Sequence, residues 1–194
     1  MVSLKQEKYI RAFVAVPIDL NLRIVIQRTQ SLLGVHAREF RWTDPAQVHL
    51  TLVFLGDTSE RDLIALKSQL QSEIADIPSF DLRIDRFGAF PKMHRPRVLW
   101  IGFREVPSEL RRLQEGIATS SRKIGIDVET RDFHPHLTLA RLRNRDTRVD
   151  LSQGLDETAI DDSLTFTVRE CVLFESVLRP SGPVYSRLAS FSLV

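Results

Sequence analysis

"HLTLVFLG" at residues 49–56 and "HPHLTLAR" at residues 134–141 both contain the tetrapeptide His-Leu-Thr-Leu. The histidine of this tetrapeptide is His49 in the first copy and His136 in the second, and the two lie 87 residues apart. Histidine changes its charge nearest to neutral pH, so it is well suited to moving protons. A motif of this kind, occurring twice in a chain of 194 residues, predicts an internal duplication built around two histidines.

The same offset relates other segments of the chain. It superimposes two short strand-like segments, 11–17 and 98–104, and two segments with helical periodicity, 19–34 and 106–121. Each half therefore runs strand, helix and then a strand that carries the motif. We predict one domain over residues 1–194, with an internal repeat over roughly 11–56 and 98–143 and a pseudo-twofold axis between the halves.

The remaining segments complete the predicted sheets. A helix is expected over 59–76 with Ser59 as its N-cap, and an alternating strand over 80–90. Two further strands are expected over 163–178 and 182–193, joined by the turn residues "RPSG", while 143–161 is predicted to be a loop. The fold class expected is α+β and bilobal, each lobe an antiparallel sheet with helices on its outer face, around a central cleft.

Composition excludes several classes of protein. Apolar residues make up 43% of the chain, charged residues 27%, and the net charge is +2, as in ordinary globular proteins. We expect no membrane partner, because no apolar run is long enough to cross a bilayer, and we predict no signal peptide. The one cysteine, Cys171, excludes an internal disulfide, so a cytoplasmic protein with a packed thiol at this position is expected.

Alternation along a strand sorts the motif residues between two faces, because successive side chains point in opposite directions. The residues predicted on one face are His49, Thr51, His136 and Thr138. Those predicted on the other face, packed against the helices, are Leu50, Leu52, Phe54, Leu137 and Leu139. If the two halves bring the first set together, a cleft holds two imidazoles and two hydroxyls.

Such a set suits the cleavage of a phosphodiester. In-line attack needs a base that takes a proton from water and an acid that gives one to the leaving oxygen on the other side of phosphorus. Near neutral pH one histidine can begin neutral and the other protonated. Threonine hydroxyls can donate hydrogen bonds to the non-bridging oxygens, and no metal is required by this logic.

The segments "RAFVAVP", "RWTDPAQVHLTLVFLGD", "PRVLWIG" and "HPHLTLAR" resemble the two-histidine phosphoesterase superfamily. The similarity is to its bacterial and archaeal RNA 2′,3′-cyclic phosphodiesterases, also called LigT-like proteins or 2′–5′ RNA ligases. It extends from Arg11 to Tyr185. The resemblance implies a bilobal fold, no metal or other cofactor, and hydrolysis of a terminal 2′,3′-cyclic phosphate to a 2′-phosphate.

The resemblance also implies roles for five residues. His49 corresponds to the proton donor and His136 to the proton acceptor, while Thr51, Thr138 and Arg141 correspond to the residues that contact the phosphate. Arg141 breaks strand parity with His136, so a bulge or a strand end must turn it toward the cleft.

Two basic segments flank these motifs. Residues 83–97 contain five Lys or Arg and one Asp, and residues 131–148 contain five Arg and two Asp. They are either solvated loops or a rim that attracts an anionic substrate. With the second cluster surrounding the motif, we favour the rim. RNA ends or cyclic nucleotides are then the expected partners, bound by a monomer.

Several alternatives remain open. His-Pro-His could supply two metal ligands, but Gln47 occupies the place of His134 in the first half, so we interpret His134 as a rim residue. Phe13 and Trp100 occupy equivalent places and could stack on a base or pack between sheet and helix. His36 and His94 are expected to be exposed.

Three other functions compete with cyclic phosphodiesterase. The first is a non-catalytic RNA- or nucleotide-binding module. The second is a metallohydrolase that uses His49, His134 and His136. The third is RNA ligation as the main role, for which no ATP-dependent signature is present in the sequence. A metal-free reverse reaction with a 5′-hydroxyl remains chemically possible, because the same acid and base serve both directions.

Overall fold

A computed structural model gives the fold. It describes residues 7–33, 38–129, 131–144, 146–151, 164–180 and 182–194. His36 and most of the second half of the predicted 143–161 loop lie outside these residues. The strands are β1 (Tyr9–Pro17), β2 (Phe40–Trp42), β3 (His49–Ser59), β4 (Phe80–Arg83), β5 (Arg86–Phe90), β6 (Val98–Gly102), β7 (His136–Leu142), β8 (Thr165–Val168), β9 (Glu170–Arg179) and β10 (Gly182–Ser192). The helices are α1 (Leu20–Leu32), α2 (Glu60–Ile74) and α3 (Ser108–Ile124), with a 3₁₀ turn at Pro45–Gln47.

The helices begin and end where local chemistry predicts. The side chain of Asp19 accepts a hydrogen bond from the backbone N–H of Leu22 at 2.8 Å and caps α1. The side chain of Ser59 likewise accepts a hydrogen bond from the backbone N–H of Asp62 and caps α2, as predicted. α3 follows Pro107 and ends at Gly125, whose φ of 93° is a left-handed conformation that glycine adopts without steric cost.

The main sheet is antiparallel and contains both repeats. Seven strands follow in the order β10-β9-β1-β3-β7-β6-β5, and β2 pairs with β7 beside them. The predicted α+β class with two repeated, antiparallel lobes is confirmed. The two lobes are halves of one continuous sheet rather than separate sheets, because the motif strands β3 and β7 pair with each other at Leu50 and Leu137.

Two predicted strands are each divided in two. The chain over 80–90 changes partner after Arg83: β4 pairs with β8 in a separate two-stranded sheet, and β5 pairs with β6. Asp85 lies at this change and accepts a hydrogen bond from the backbone of Arg104. The predicted strand over 163–178 is likewise interrupted at Arg169, where β8 ends and β9 joins β1 and β10.

The larger of two buried hydrophobic clusters in the described residues fills the space between the sheet and the helices. The apolar faces of the helices contribute Leu22, Ile26, Leu63, Leu66, Leu70, Ile74, Leu110, Leu113 and Ile117. The central Leu50 and Leu137 belong to the same cluster and are fully buried. Cys171 is buried as well, as expected for a packed thiol, and burial raises the pKa of its thiol to about 12. The opposite, helix-free face of the central strands is left for the motif histidines.

Candidate active site

Matching bulges lie one residue beyond the two motif threonines. Two consecutive residues of β1 pair with Val53 and Thr51 of β3, so Leu52, which lies between them, is an extra residue with no partner in β1. In the same way, two consecutive residues of β6 pair with Ala140 and Thr138 of β7, so Leu139 is the extra residue. A bulge shifts the alternation by one residue, because two residues on one strand face one on its partner. The two halves therefore share the irregularity as well as the motif.

The bulges decide which side chains reach the site. Leu139 and Ala140 are both buried, and Arg141 is turned to the exposed side, as the predicted bulge requires. Leu52 and Val53 are likewise both buried. The expectation that Phe54 packs against the helices is therefore wrong. Its side chain is 55% exposed on the histidine face, because strict alternation does not continue through the bulge.

Each motif imidazole is oriented by a backbone carbonyl two residues earlier. Nδ1 of His49 donates to the carbonyl of Gln47 at 2.8 Å, and Nδ1 of His136 donates to the carbonyl of His134 at 2.7 Å. A carbonyl can only accept, so both rings carry a proton on Nδ1. Nε2 is then the nitrogen that gains or loses a proton in each ring, and the two rings are prepared in the same way.

Aromatic side chains hold the two rings from the sides. The ring of Phe13 lies 4.9 Å from that of His49, and Tyr185 meets His49 edge-on at 5.2 Å. Phe90 meets the ring of His136 edge-on at 4.9 Å, and Trp100 lies 6.2 Å away. Phe13 and Trp100 thus contact the histidines, which is different from packing between sheet and helix.

Burial and nearby positive charge act on both histidines in the same direction. Desolvation lowers the pKa of His49, and the charges of His136 and Arg141 lower it further, against the opposing effect of the Gln47 carbonyl. Desolvation is also the largest cause that lowers the pKa of His136, and Arg141 again contributes. The influence of His136 and Arg141 on His49 brings the three groups into one electrostatic unit.

The threonines of the motifs lie beside the histidines of the other repeat. Leu50 pairs with Leu137 in antiparallel register. One residue along the strands in either direction, this register places His49 across from Thr138 and Thr51 across from His136. Thr51 and His136 also line the same cavity, whose volume is about 980 Å³. The four polar side chains are therefore interleaved between the repeats.

Tyr185 is a neighbour of the site that sequence reasoning did not single out. It belongs to β10, and its half-buried hydroxyl has a raised pKa because of burial, which the charge of Arg141 opposes. β10 reaches the site because β9 pairs with both β1 and β10. The sequence contains no signal for that strand order, so the proximity of Tyr185 to His49 could not be predicted from it.

The carbonyl of His134 accepts the hydrogen bond from His136, and the side chain of His134 lines the cavity. This side chain is exposed, like that of His94. Over the described residues, no group of three or more His, Cys, Asp or Glu side chains is arranged to hold a metal ion. The metallohydrolase alternative, which would use His134 together with His49 and His136, gains no ligand set from this arrangement.

The basic segments contribute differently to the site. Arg95, Arg97 and Arg131 line the cavity. Arg143, which was expected to belong to an outer rim, donates from Nε to the carbonyl of Phe40 at 3.0 Å and so ties β7 to β2. Arg148 is exposed, whereas Arg145 lies outside the described residues.

A duplicated sheet that joins two His-x-Thr motifs in one basic cleft defines a two-histidine phosphoesterase. Residues 17–100 and 101–185 of the chain each match the family described as LigT like Phosphoesterase. The chain belongs to this family, which its sequence already resembled. The family pattern therefore matches twice, once in each half of the chain.

Curated relatives match over nearly their whole length. One from Methanothermobacter thermautotrophicus, named RNA 2′,3′-cyclic phosphodiesterase, is 32% identical over 95% of this chain and 99% of its own. A protein of the same name from Aquifex aeolicus is 31% identical over 96% and 98%. Among solved structures, E. coli LigT complexed with 3′-AMP has a TM-score of 0.77 and 27% identity over 96% of this chain and 99% of its own.

Proposed function

We propose that this chain is an RNA 2′,3′-cyclic phosphodiesterase that hydrolyses a terminal 2′,3′-cyclic phosphate to a 2′-phosphate. Curated relatives that match almost end to end carry the name of this activity. The structural neighbour E. coli LigT has been crystallised with 3′-AMP, so a neighbour with the same fold takes a nucleotide with a phosphate on its ribose.

One observation carries the proposal more than any other. The two imidazoles are oriented alike, each by a carbonyl on Nδ1, and belong to one cleft. An acid and a base on opposite sides of a phosphorus atom need this duplicated presentation of Nε2. Proton transfer through Nε2 depends on a fixed tautomer in each ring, so this arrangement supports catalysis.

The proposed reaction uses these groups in the following way. His136 takes a proton from a water molecule through Nε2 as the water oxygen attacks phosphorus. The bond from phosphorus to the 3′ oxygen breaks on the opposite side, and His49 gives the proton on its Nε2 to that oxygen. The products are a 2′-phosphate and a 3′-hydroxyl. The assignment of donor and acceptor follows the family pattern.

The other site residues stabilise the charge that develops on phosphorus. Thr51 and Thr138 donate hydrogen bonds to the non-bridging oxygens from opposite strands, and Arg141 supplies a fixed positive charge beside both imidazoles. No step in this scheme needs a metal or another cofactor. An anionic phosphodiester also favours the protonated form of the donor, which offsets the effect of burial on His49.

The substrate is an RNA end, because a 2′,3′-cyclic phosphate occurs only at the end of a strand. Cyclic mononucleotides are its smallest form. We propose that the chain acts as a monomer in the cytoplasm, and that residues 1–194 form a single bilobal domain in which both repeats contribute one half of the site. No helix in the described part of the chain is long and apolar enough to cross a membrane.

The test is incubation of the protein with an oligonucleotide that ends in a 2′,3′-cyclic phosphate, and with a cyclic mononucleotide, in excess EDTA. The expected product is the 2′-phosphate in both cases, formed at the same rate with and without EDTA. A protein with both His49→Ala and His136→Ala is the control for contaminating activity. Loss of turnover in EDTA, or a 3′-phosphate product, would contradict the proposed reaction.

A further inference from the structure

The extra residue of the second bulge, Leu139, is held from one side only. It has no partner in β6, so the ladder on that side does not fix it. On the other side, just beyond the end of β2, the backbone N–H of Thr43 donates to the Leu139 carbonyl at 2.9 Å. The side chain of Gln30 on α1 donates to the same carbonyl at 3.1 Å. The position of the bulge is therefore set from β2 and from a helix.

Gln30 uses both protons of its amide nitrogen. Nε2 donates to the carbonyl of Thr43 at 2.7 Å as well as to the carbonyl of Leu139. A primary amide has two N–H groups, so the donor capacity of this side chain is fully used. Gln30 precedes Leu139 by 109 positions, and its side chain is only partly exposed. One side chain of the first repeat thus holds the bulge of the second repeat.

The other half of the molecule has an apolar residue at the corresponding place. The 87-residue offset takes Gln30 to Ile117 on α3, whose side chain is fully buried in the core. Isoleucine has no side-chain donor, so the bulge at Leu52 forms without an amide from residue 117. The repeat is therefore built equally well with an apolar residue at this position, and the amide of Gln30 serves something particular to the second bulge.

Arg141 lies two residues beyond the carbonyl that Gln30 binds. The bulge interrupts the alternation of β7, so Leu139 and Ala140 are both buried and Arg141 is turned to the exposed side. The charge of Arg141 acts on both motif imidazoles. Without the bulge, strict alternation would turn Arg141 to the helix-covered face, because a shift of one residue moves each side chain to the other face. The location of the cation depends on the bulge.

We propose that Gln30 is a positioning residue for the cation of the site: its amide holds the bulge in the conformation that directs Arg141 into the histidine cleft. Gln30 acts through the main chain of β7, from the face of the sheet opposite to the histidines. The consequence for catalysis rests on the proposed function, whereas the placement of Arg141 can be measured without turnover. A carbonyl that loses its donor away from water is costly, so the main chain has a reason to move when the amide is removed.

The variant Gln30→Met tests this placement directly. Methionine has a similar length and helix propensity but has no N–H to donate. The measurement is an NMR titration of the imidazole C–H signals of His49 and His136. With Arg141 displaced, the pKa of both imidazoles should rise, as it should in Arg141→Gln. A role in stability alone would lower the melting temperature and leave both pKa values as in the wild type.

Kinetics provide a second readout of the same displacement. In Gln30→Met, kcat for a cyclic mononucleotide should fall by about 10- to 100-fold, because a small misplacement of a catalytic group costs this much. In a protein that already carries Arg141→Gln, adding Gln30→Met should cause no further loss, since the guanidinium that Gln30 positions is absent. Losses that multiply in the double variant would show that Gln30 acts independently of Arg141.

Two further variants complete the test. Gln30→Asn keeps an amide that is one methylene too short to reach both carbonyls. It should show the same shifts in smaller measure, and it replaces Gln30→Met if that protein does not fold. Gln27→Met makes the matched change at an exposed position about one turn earlier on α1 and should equal the wild type in both pKa values and kcat. Circular dichroism and thermal melting check that each variant is folded.

The outcomes separate the two proposals. Wild-type imidazole pKa values in a folded Gln30→Met or Gln30→Asn protein, or independent kinetic losses in the double variant, would overturn the positioning role of Gln30. Those results would leave the cyclic phosphodiesterase intact, since the wild-type protein would still turn over its substrate. Absence of turnover of any cyclic phosphate by the wild-type protein would overturn the proposed function, while the NMR titration would still decide the placement of Arg141.

Discussion

Leu50 on β3 is paired with Leu137 on β7, and this pair joins the two repeats of the sheet. Both side chains are fully buried in the core. Each leucine is flanked by the histidine and threonine of its motif, so the buried pair fixes the separation of the polar groups on the opposite face. The leucines of His-Leu-Thr-Leu are therefore as important for the site geometry as its polar residues.

The register set by this pair predicts a shared role for the two threonines. Thr51→Val and Thr138→Val each keep the shape of the side chain but remove the hydroxyl that is proposed to donate to the phosphate. Each should lower kcat by about 10²- to 10³-fold, the usual effect of losing one donor to a developing oxyanion. The matched variants Thr51→Ser and Thr138→Ser retain the hydroxyl and should keep most of the activity. Steady-state kinetics with a cyclic mononucleotide distinguishes the two; equal activity of the valine and serine variants would contradict the role.

Burial of both imidazoles predicts the pH dependence of the unliganded enzyme. The sequence suggested an optimum near neutrality for a neutral base paired with a protonated acid. Burial lowers the pKa of His49 and of His136 below the ordinary 6.5, so the form with one proton on the pair is most populated below that pH. The profile of kcat/KM should be bell-shaped with its maximum below about 6.5. A profile that rises steadily to high pH would contradict the two-histidine scheme.

Arg141 contributes to these shifts through its charge. Arg141→Gln removes a cation that lowers the pKa of both imidazoles, so both values should rise and the bell should move to higher pH. NMR titration of the imidazole C–H signals measures this shift even if cleavage becomes slow. An Arg141→Lys protein, which keeps the charge, should retain the wild-type pKa values. Unchanged pKa values in Arg141→Gln would place the guanidinium away from the histidines.

A substitution at Gly88 is predicted to affect His136 indirectly. It pairs with Trp100, and a Cβ added at Gly88 would lie 2.0 Å from Cζ2 of the indole. Gly88→Ala must therefore displace Trp100, whose ring lies 6.2 Å from that of His136. We expect turnover to fall by roughly 10-fold or more, since small misplacements of catalytic groups are costly. Gly116→Ala is the control, because the atoms nearest to its added Cβ belong to the flexible side chain of Glu73. Wild-type activity in Gly88→Ala would contradict a positioning role for Trp100.

We predict that the arginines of the second basic segment have two roles: one acts on the scissile phosphate, and the others bind the rest of an oligonucleotide. Arg141→Ala should impair cleavage of cyclic mononucleotides and oligonucleotides alike, because both contain the scissile phosphate. Arg145→Ala combined with Arg148→Ala should weaken oligonucleotide binding and flatten its salt dependence, while mononucleotide turnover is unaffected. Arg143 is excluded from this comparison because it holds the Phe40 carbonyl. The measurement is KM for both substrates across a salt series. Equal losses of mononucleotide turnover in Arg141→Ala and in the combined Arg145→Ala, Arg148→Ala variant would contradict this division of roles.

The sequence predicted the parts of the fold that follow a local rule. The repeat, the three helices and the cap at Ser59 depend on spacing and side-chain chemistry, which can be read along one chain. Strand parity placed Leu50 and Leu137 correctly but failed at Phe54, because a bulge adds a residue that periodicity does not reveal. The bulge before Arg141 was anticipated for the opposite reason, since a family resemblance required that side chain in the cleft.

Local rules of this kind do not predict which strands pair when they are far apart in the sequence. Tyr185 meets His49 because β9 lies between β1 and β10, and β4 finds β8 more than eighty residues away, as the Asp81–Thr167 hydrogen bond illustrates. Neither pairing leaves a mark in local composition. The break after Arg83 has the same origin, because the chain leaves one sheet for the other at that point.

The most direct test of the paired acid and base is single-turnover cleavage of a 2′,3′-cyclic-phosphate oligonucleotide by His49→Ala, by His136→Ala and by the control His94→Ala, whose histidine is exposed. Each motif variant should be slower by about 10²- to 10⁴-fold, and the control should be unchanged. With sulfur in place of the bridging 3′ oxygen, the leaving group needs no proton, so the loss in His49→Ala should shrink while that in His136→Ala persists. Near wild-type cleavage of the oxygen substrate by either motif variant would contradict the account.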